Sequence, residues 1–338
     1  MSRLNNNYTQ FRSSALRDAS LAPASLRTYD KNLSNFLSHT HLSPQRFFSS
    51  PSSRIDTLLS HYIEHLHSIG APFDYASHAL NGAVFRRPDL KHKLGMARQT
   101  LKGWQRTKHS TSHPPLTWEL TVLIAVTQAK WGYHGCAVAT LLAFHCYLRV
   151  GELTRLQRSD IVMPSDSRMG SGYDNMALRL GRTKTGNNQW VSIHNQDVSE
   201  LLIAWMHQHS RSSSGTDLVF PFTPAHFRHL LHNTVQKLGL GPTPYVPHSL
   251  RHGGATYDYM RRVSIEDIML RGRWKAMESA RRYIQQGRAM LVQQTVPAHL
   301  HQLGITFSQC LSQIMQHIIN TVPEKQSGKR RTVSFASP

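Results

Sequence analysis

His248 and Arg251 stand three residues apart in Pro247-His248-Ser249-Leu250-Arg251-His252, and Trp274 and Tyr283 follow at intervals of 23 and 9 residues. Residues three apart on a helix share a face, so this imidazole and guanidinium can converge on one anionic oxygen. A downstream phenol supplies a hydroxyl nucleophile. Two more cations lie upstream: Arg149 in Tyr147-Leu148-Arg149-Val150-Gly151-Glu152-Leu153, and Lys184 in Arg182-Thr183-Lys184-Thr185-Gly186-Asn187-Asn188. Together these side chains describe a phosphate-handling site. Attack on a phosphodiester sets a nucleophile against an anion and builds a more highly charged pentacoordinate phosphorus, which fixed cations stabilise. Arg149 and Arg251 offer planar forks of donors, His248 exchanges a proton near neutral pH, and Trp274, with an indole N–H and no acceptor, donates to the phosphate or packs the site.

The elements that must carry these residues are mostly helical. Thr117 caps a helix with Glu119 in its first turn and Leu120, Leu123, Ile124 and Val126 in its core. The apolar run Cys136 to Phe144 reads as a buried helix that delivers Arg149 at its end. Two strand-like runs, 177–180 and 189–193, flank Lys184, and Gly186-Asn187-Asn188 between them is hairpin turn chemistry. Helices are expected near 198–207, 224–238, 251–260 and 264–270, the last opened by Ser264 and Asp267 as a capping pair. In the N-terminal part, Tyr29, Leu33, Phe36 and Leu37, then Leu58, Leu59, Tyr62, Ile63 and Leu66, recur at helical spacing, with more helix near 75–84 and 91–104. His109 to Pro115, rich in Ser and Thr and ending in two prolines, reads as a linker. The expected organisation is a flexible arm over 1–20, a helical domain over 21–108, a linker over 109–116, a catalytic domain over 117–292, and a C-terminal helix with a basic tail over 293–338.

At 338 residues the chain is long enough for about two domains. Its 39 Lys and Arg against 19 Asp and Glu leave a net charge of +20, spread along the whole length, which favours a polyanionic partner. No apolar run approaches the roughly 20 residues of a spanning helix, so nucleic acid is the expected partner and a membrane is not. Three cysteines, Cys136, Cys146 and Cys310, lack metal spacing and suit a reducing compartment. His61-Tyr62-Ile63-Glu64-His65 fits a zinc-hydrolase pattern, but no third ligand is evident, and 22 histidines raise the number of chance matches. No metal or cofactor is expected.

A lone histidine–arginine pair or a lone tyrosine carries little information; six residues in order carry more. Arg149, Lys184, His248, Arg251, Trp274 and Tyr283 resemble the catalytic set of the tyrosine recombinase (phage integrase) family. The local contexts agree: Leu148-Arg149-Val150-Gly151-Glu152-Leu153, Thr183-Lys184-Thr185-Gly186, Gly272-Arg273-Trp274 and Arg282-Tyr283-Ile284. The resemblance covers roughly 117–292, and it implies a mainly α fold with a small β-sheet, arranged as a two-domain clamp around duplex DNA. It implies site-specific cutting and rejoining through a 3′-phosphotyrosine on Tyr283, with Lys184 protonating the departing 5′ oxygen. Homo-oligomers follow, a dimer per site and a tetramer in synapsis. Type IB topoisomerases use the same nucleophile logic as monomers, and a transposon-derived DNA-binding protein with a retired site is a rival of another class.

Other readings attach to single residues. Trp274 stands where the family more often has His, which points to phosphate hydrogen bonding there. Arg271, Arg273, Arg281 and Arg282 are candidate DNA-backbone contacts, Glu152 is expected to orient Arg149 or a neighbouring helix, and His252 is expected to be structural. Tyr257, Tyr259 and Tyr245 rank below Tyr283 as nucleophiles. The stripe Phe307, Leu311, Ile314, Met315 and Ile318 forms one helix face expected to dock on a neighbouring protomer. A Ser- and His-rich chain with a basic tail has the character of a eukaryotic mobile element, which would place it in the nucleus, and otherwise in the cytoplasm or nucleoid.

Overall fold

Prolines and hydroxyls set where the helices begin, and apolar stripes set which faces they bury. The computed structural model describes residues 15–107, 113–164, 166, 175–181, 189–209, 217–241 and 243–325. It divides into two compact units, Met1–Thr111 and Ser112–Pro338.

In the first unit, α1 (Ala15–Asp18) leads into α2 (Pro23–His39) and α3 (Pro44–Ser49), both with proline in the first turn, where a missing N–H costs nothing. α4 (Ser52–Ser68), α5 (Phe73–Arg86) and α6 (Gly95–Thr107) complete it. The helical stripes meet in a core of Leu33, Phe36, Ile55, Leu59 and Ile63, all fully buried. Buried Arg86 on α5 forks onto Asp30 of α2 at 2.6 and 2.8 Å, and Asp56 of α4 accepts from the backbone N–H groups of Met96 and Ala97 at the start of α6. His61, Glu64 and His65 lie exposed along α4, with the His65 ring stacked on His39.

The second unit opens with α7 (Trp118–Lys130), capped by Thr117 Oγ1, and α8 (His134–His145), buried along its length to Phe144. α9 (Val150–Leu153) follows, then an antiparallel sheet ordered β1 (Ile161–Val162), β2 (Met176–Leu180), β3 (Gln189–Ile193), with Leu178 opposite Val191. The hairpin tip and Lys184 lie outside the described residues. α10 (Gln196–Gln208), α11 (Pro224–Lys237), α12 (Pro247–Met260), α13 (Ile265–Gly272), α14 (Met277–Arg281) and α15 (Gln286–Thr295) complete the body of the unit. α12 begins at Pro247, four residues before the expected start, because proline opens a first turn well and Ser249 Oγ accepts from the Val246 N–H.

The C-terminal stripe does not form one helix reaching outward. It breaks at Cys310 into α16 (Ala298–Gln309) and α17 (Leu311–Thr321), and both pack on α7 of their own unit. Leu311, Met315 and Ile318 are buried in the same core as α7 and α8, and Lys130 lies over the Phe307 ring. The stripe expected to dock on a neighbouring protomer is covered in this single chain by α7 of its own unit.

Candidate active site

Arg149 starts α9, where the Glu152 carboxylate accepts from its backbone N–H at 2.9 Å and from its guanidinium at 2.7 Å. Glu152 is buried, and its second partner is Arg273, at 2.9 Å. Burial opposes ionisation of Glu152, but the Arg273 and Arg149 charges together with the backbone hydrogen bond hold its carboxyl below the usual range.

α12 carries His248, Arg251 and His252. The following Gly253 and Gly254 let the helix press against its neighbours: a methyl group on them would overlap the Leu116 and Phe144 carbonyls. Arg251 is fully buried. Its terminal nitrogens donate to the carbonyls of Tyr147 and Gly272, and its guanidinium carbon lies 4.6 Å from the Trp274 ring centre and 5.0 Å from that of Tyr283. Sequence reasoning expected an open fork; the structure has the fork turned onto backbone carbonyls and covered by two rings. Its Nε, and Trp274 Nε1, have no partner among the described residues. Burial, with Arg273 and Arg149 alongside, lowers Arg251 to about 9.

Tyr283 follows α14 in a turn. Its hydroxyl lies 3.1 Å from His248 Nε2, and its ring stacks on His252 and meets Trp274 at 4.6 Å between centres. Thr256 Oγ1 donates to the Tyr283 carbonyl at 3.2 Å. Burial, then the neighbouring His252 and arginines, lowers His248 to about 4, so its imidazole is neutral at pH 7 and able to accept a proton. Burial likewise lowers His252 to about 4. The structure thus brings together Arg149, His248, Arg251, Trp274 and Tyr283, with Glu152 and His252 beside them.

The four expected DNA-contacting arginines divide. Arg281 and Arg282 are exposed, the latter 3.2 Å from Glu278. Arg271 is bound to Asp258 at 2.6 Å. Arg273 is only 6% exposed and donates to Glu152 and to the carbonyls of Cys146, Tyr147 and Arg271, so it is part of the interior and not of a surface that meets DNA. Of the rival tyrosines, Tyr257 packs its ring on Trp118 and Phe144, Tyr245 is buried, and Tyr259 is exposed.

Sequence reasoning missed two features of the site and one histidine that braces the turn after β3. Tyr147, in a left-handed turn at φ 48°, aims its carbonyl at two arginines and its hydroxyl at Asp258. His145, lowered to about 3 by burial, accepts from the backbone N–H groups of His194 and Asn195. A cavity of about 420 Å³ beside Arg149 and His248 is lined also by His113, Arg228 and His232. The histidines spaced by three on α11 were a signal for the last; His226 and His229 face elsewhere.

Among curated proteins none matches the sequence. The XerH site-specific recombinase bound to a palindromic difH substrate, in a post-cleavage complex, is similar in fold, with a TM-score of 0.53 and 16% identity over 79% of this chain and 78% of that one. The Tn1549 transposon integrase in complex with circular intermediate DNA is similar at a TM-score of 0.50 and 13% identity, over 79% of this chain and 98% of that one. The model of the phage integrase family matches residues 119–289, which run from α7 into α15 and include Arg149, His248, Arg251, Trp274 and Tyr283. With that match over half its length, the chain belongs to the phage integrase family of tyrosine recombinases.

Proposed function

We propose that this protein is a site-specific recombinase that cuts and rejoins duplex DNA through a phosphotyrosine on Tyr283. The observation that carries the reading is the Tyr283 hydroxyl held 3.1 Å from a neutral His248, against the buried guanidinium of Arg251. His248 Nε2 takes the phenol proton, the phenolate oxygen forms a bond to phosphorus, the bond from phosphorus to the 5′ oxygen breaks, and Lys184 gives that oxygen its proton. Arg149, 22% exposed at its side chain, meets the phosphate first. The rings of Trp274 and Tyr283 cover Arg251, so the phosphate reaches that guanidinium as the phenol swings toward it. Because the phosphoester energy is kept in the covalent intermediate, a 5′ hydroxyl from another duplex reverses the step and completes strand exchange. Two strands on each of two duplexes must be exchanged, which calls for a dimer on each site and a tetramer in synapsis. The similarity in fold to recombinases solved with DNA and the net charge of +20 support duplex DNA as the partner.

The test uses nicked suicide duplexes tiled across the DNA that flanks the coding gene. The wild-type chain should form a covalent adduct, in excess EDTA as without it, and Tyr283→Phe should form none while binding DNA within a few-fold of wild type. Adducts that persist in Tyr283→Phe and vanish in Tyr257→Phe would overturn the assignment.

A further inference from the structure

We propose that Arg273 is a third guanidinium of the phosphate site, a positioning residue that fixes Arg149 and Arg251 and adds its charge to theirs. The inference rests on the phosphoryl-transfer reading above. Three observations carry it. Arg273 caps α13 at φ 57° and ψ 40°, a left-handed backbone that L side chains adopt at a cost and glycine adopts freely. A long cationic side chain in such a place is explained by what it touches, and it touches the supports of both other arginines. Through Glu152 it shares a carboxylate with Arg149, and through the Tyr147 carbonyl it shares an acceptor with Arg251. Its own neighbours in the chain complete the set: the Gly272 carbonyl accepts from Arg251, and the Trp274 ring lies over it.

Among the described residues Glu152 is the one carboxylate bonded to this group, since the nearby Asp258 is bound to Arg271 and to the Tyr147 hydroxyl. Three guanidiniums against one carboxylate leave two positive charges in a largely buried site. Such a surplus is costly in the free protein and suited to a phosphorus centre gaining negative charge. Arg273 does not reach the phosphate; it raises the potential there and keeps the two arginines that do from turning away.

The experiment compares wild type, Arg273→Gly and Arg273→Lys on the nicked duplexes, with the scissile linkage either phosphate or a neutral methylphosphonate. Glycine keeps the left-handed turn and removes the charge; lysine keeps the charge and removes the fork. Folding is checked by the urea midpoint of each variant. On phosphate at saturating DNA, Arg273→Gly should slow adduct formation by about 100-fold per folded molecule, with the DNA dissociation constant changed by less than about 5-fold. Arg273→Lys should recover part of the rate. On methylphosphonate the gap between Arg273→Gly and wild type should shrink to about 10-fold or less, because a charge lost from the protein is matched by one lost from the substrate. A purely structural role predicts the same gap on both substrates, and that result, or a glycine variant as fast as wild type, would sink the inference. If Arg273→Gly fails to fold, Arg273→Gln, which keeps a long polar side chain and removes the charge, decides on the two substrates by the same comparison. Absence of any adduct with wild type would remove the phosphotyrosine reading itself, and this inference with it.

Discussion

Glu152 is the residue on which the site's internal balance turns. It is one buried carboxylate with two guanidinium partners, so removing its charge strands two cations in the interior. Glu152→Gln, which keeps most of the shape and one acceptor, should cost about 3 kcal/mol or more of the second unit's stability, measured by urea unfolding at pH 7. The pH dependence has a definite sign. The folded carboxyl is held below its ordinary value, so its contribution is complete above the ordinary glutamate range and is lost as pH falls through the lower folded value. The wild-type advantage over Glu152→Gln should therefore shrink in acid and be constant from pH 6 upward. Residue types and intervals made most of this site legible in advance, because phosphate chemistry demands particular donors and a particular nucleophile. Whether a given arginine faces solvent or the interior was not legible. Arg271 and Arg273 have the local composition of a basic surface run, and only the fold shows that Asp258 and Glu152, 13 and 121 residues away in sequence, are their partners.

At the scale of elements, what matters is how closely α12 approaches its neighbours. The carbonyls of Leu116 and Phe144 sit where side chains at Gly253 and Gly254 would be, and α12 carries three residues of the site. Gly253→Ala has a good helix former in place of a poor one, yet it should destabilise the unit by about 1–3 kcal/mol, because overpacking against backbone outweighs a propensity gain of under about 1 kcal/mol. A variant as stable as wild type would show that α12 can shift without loss. The histidines that join these elements give a second test. His145, His248 and His252 are all lowered by burial, to about 3, 4 and 4, so the unfolded chain binds protons that the folded chain refuses. Their linkage makes stability rise with pH up to the unfolded value near 6.5 and fall as pH drops from 6.5 toward 4, by on the order of 1 kcal/mol per histidine. Urea midpoints at pH 7 and pH 5 should differ accordingly, and His145→Gln should reduce the difference. Strands β2 and β3 were readable from two strand-like runs and the turn residues between them, whereas β1, two residues long, is too short to read. The start of α12 was misplaced because Pro247 was not counted as its first turn.

For the whole molecule, the telling feature is where the C-terminal apolar residues go. An amphipathic stripe near a terminus looks the same in sequence whether it packs on its own domain or on a neighbour, since its periodicity records that a face is buried and not which face covers it. Here the cover is α7: Gly304 of α16 abuts the Glu119 carbonyl, and the Lys325 N–H donates to the Gly132 carbonyl at 2.8 Å. Leu300, Leu311, Met315 and Ile318 are 8, 1, 0 and 6% exposed. At about 1.5–3 kcal/mol for each buried side chain, their removal forfeits roughly 6–12 kcal/mol, comparable to the whole stability of an ordinary domain. Deleting residues 298–338 should therefore leave the second unit without cooperative unfolding and without the near-ultraviolet circular dichroism of its packed aromatics. Point truncation gives the same test in milder form: Met315→Ala alone should lower stability by about 2–5 kcal/mol. If the deleted chain instead kept its native unfolding midpoint, bound a half-site as a monomer and lost only cooperative binding to the full site, then α16 and α17 would be dispensable to their own domain. In that event exchange of these helices between protomers would become the better account of the stripe.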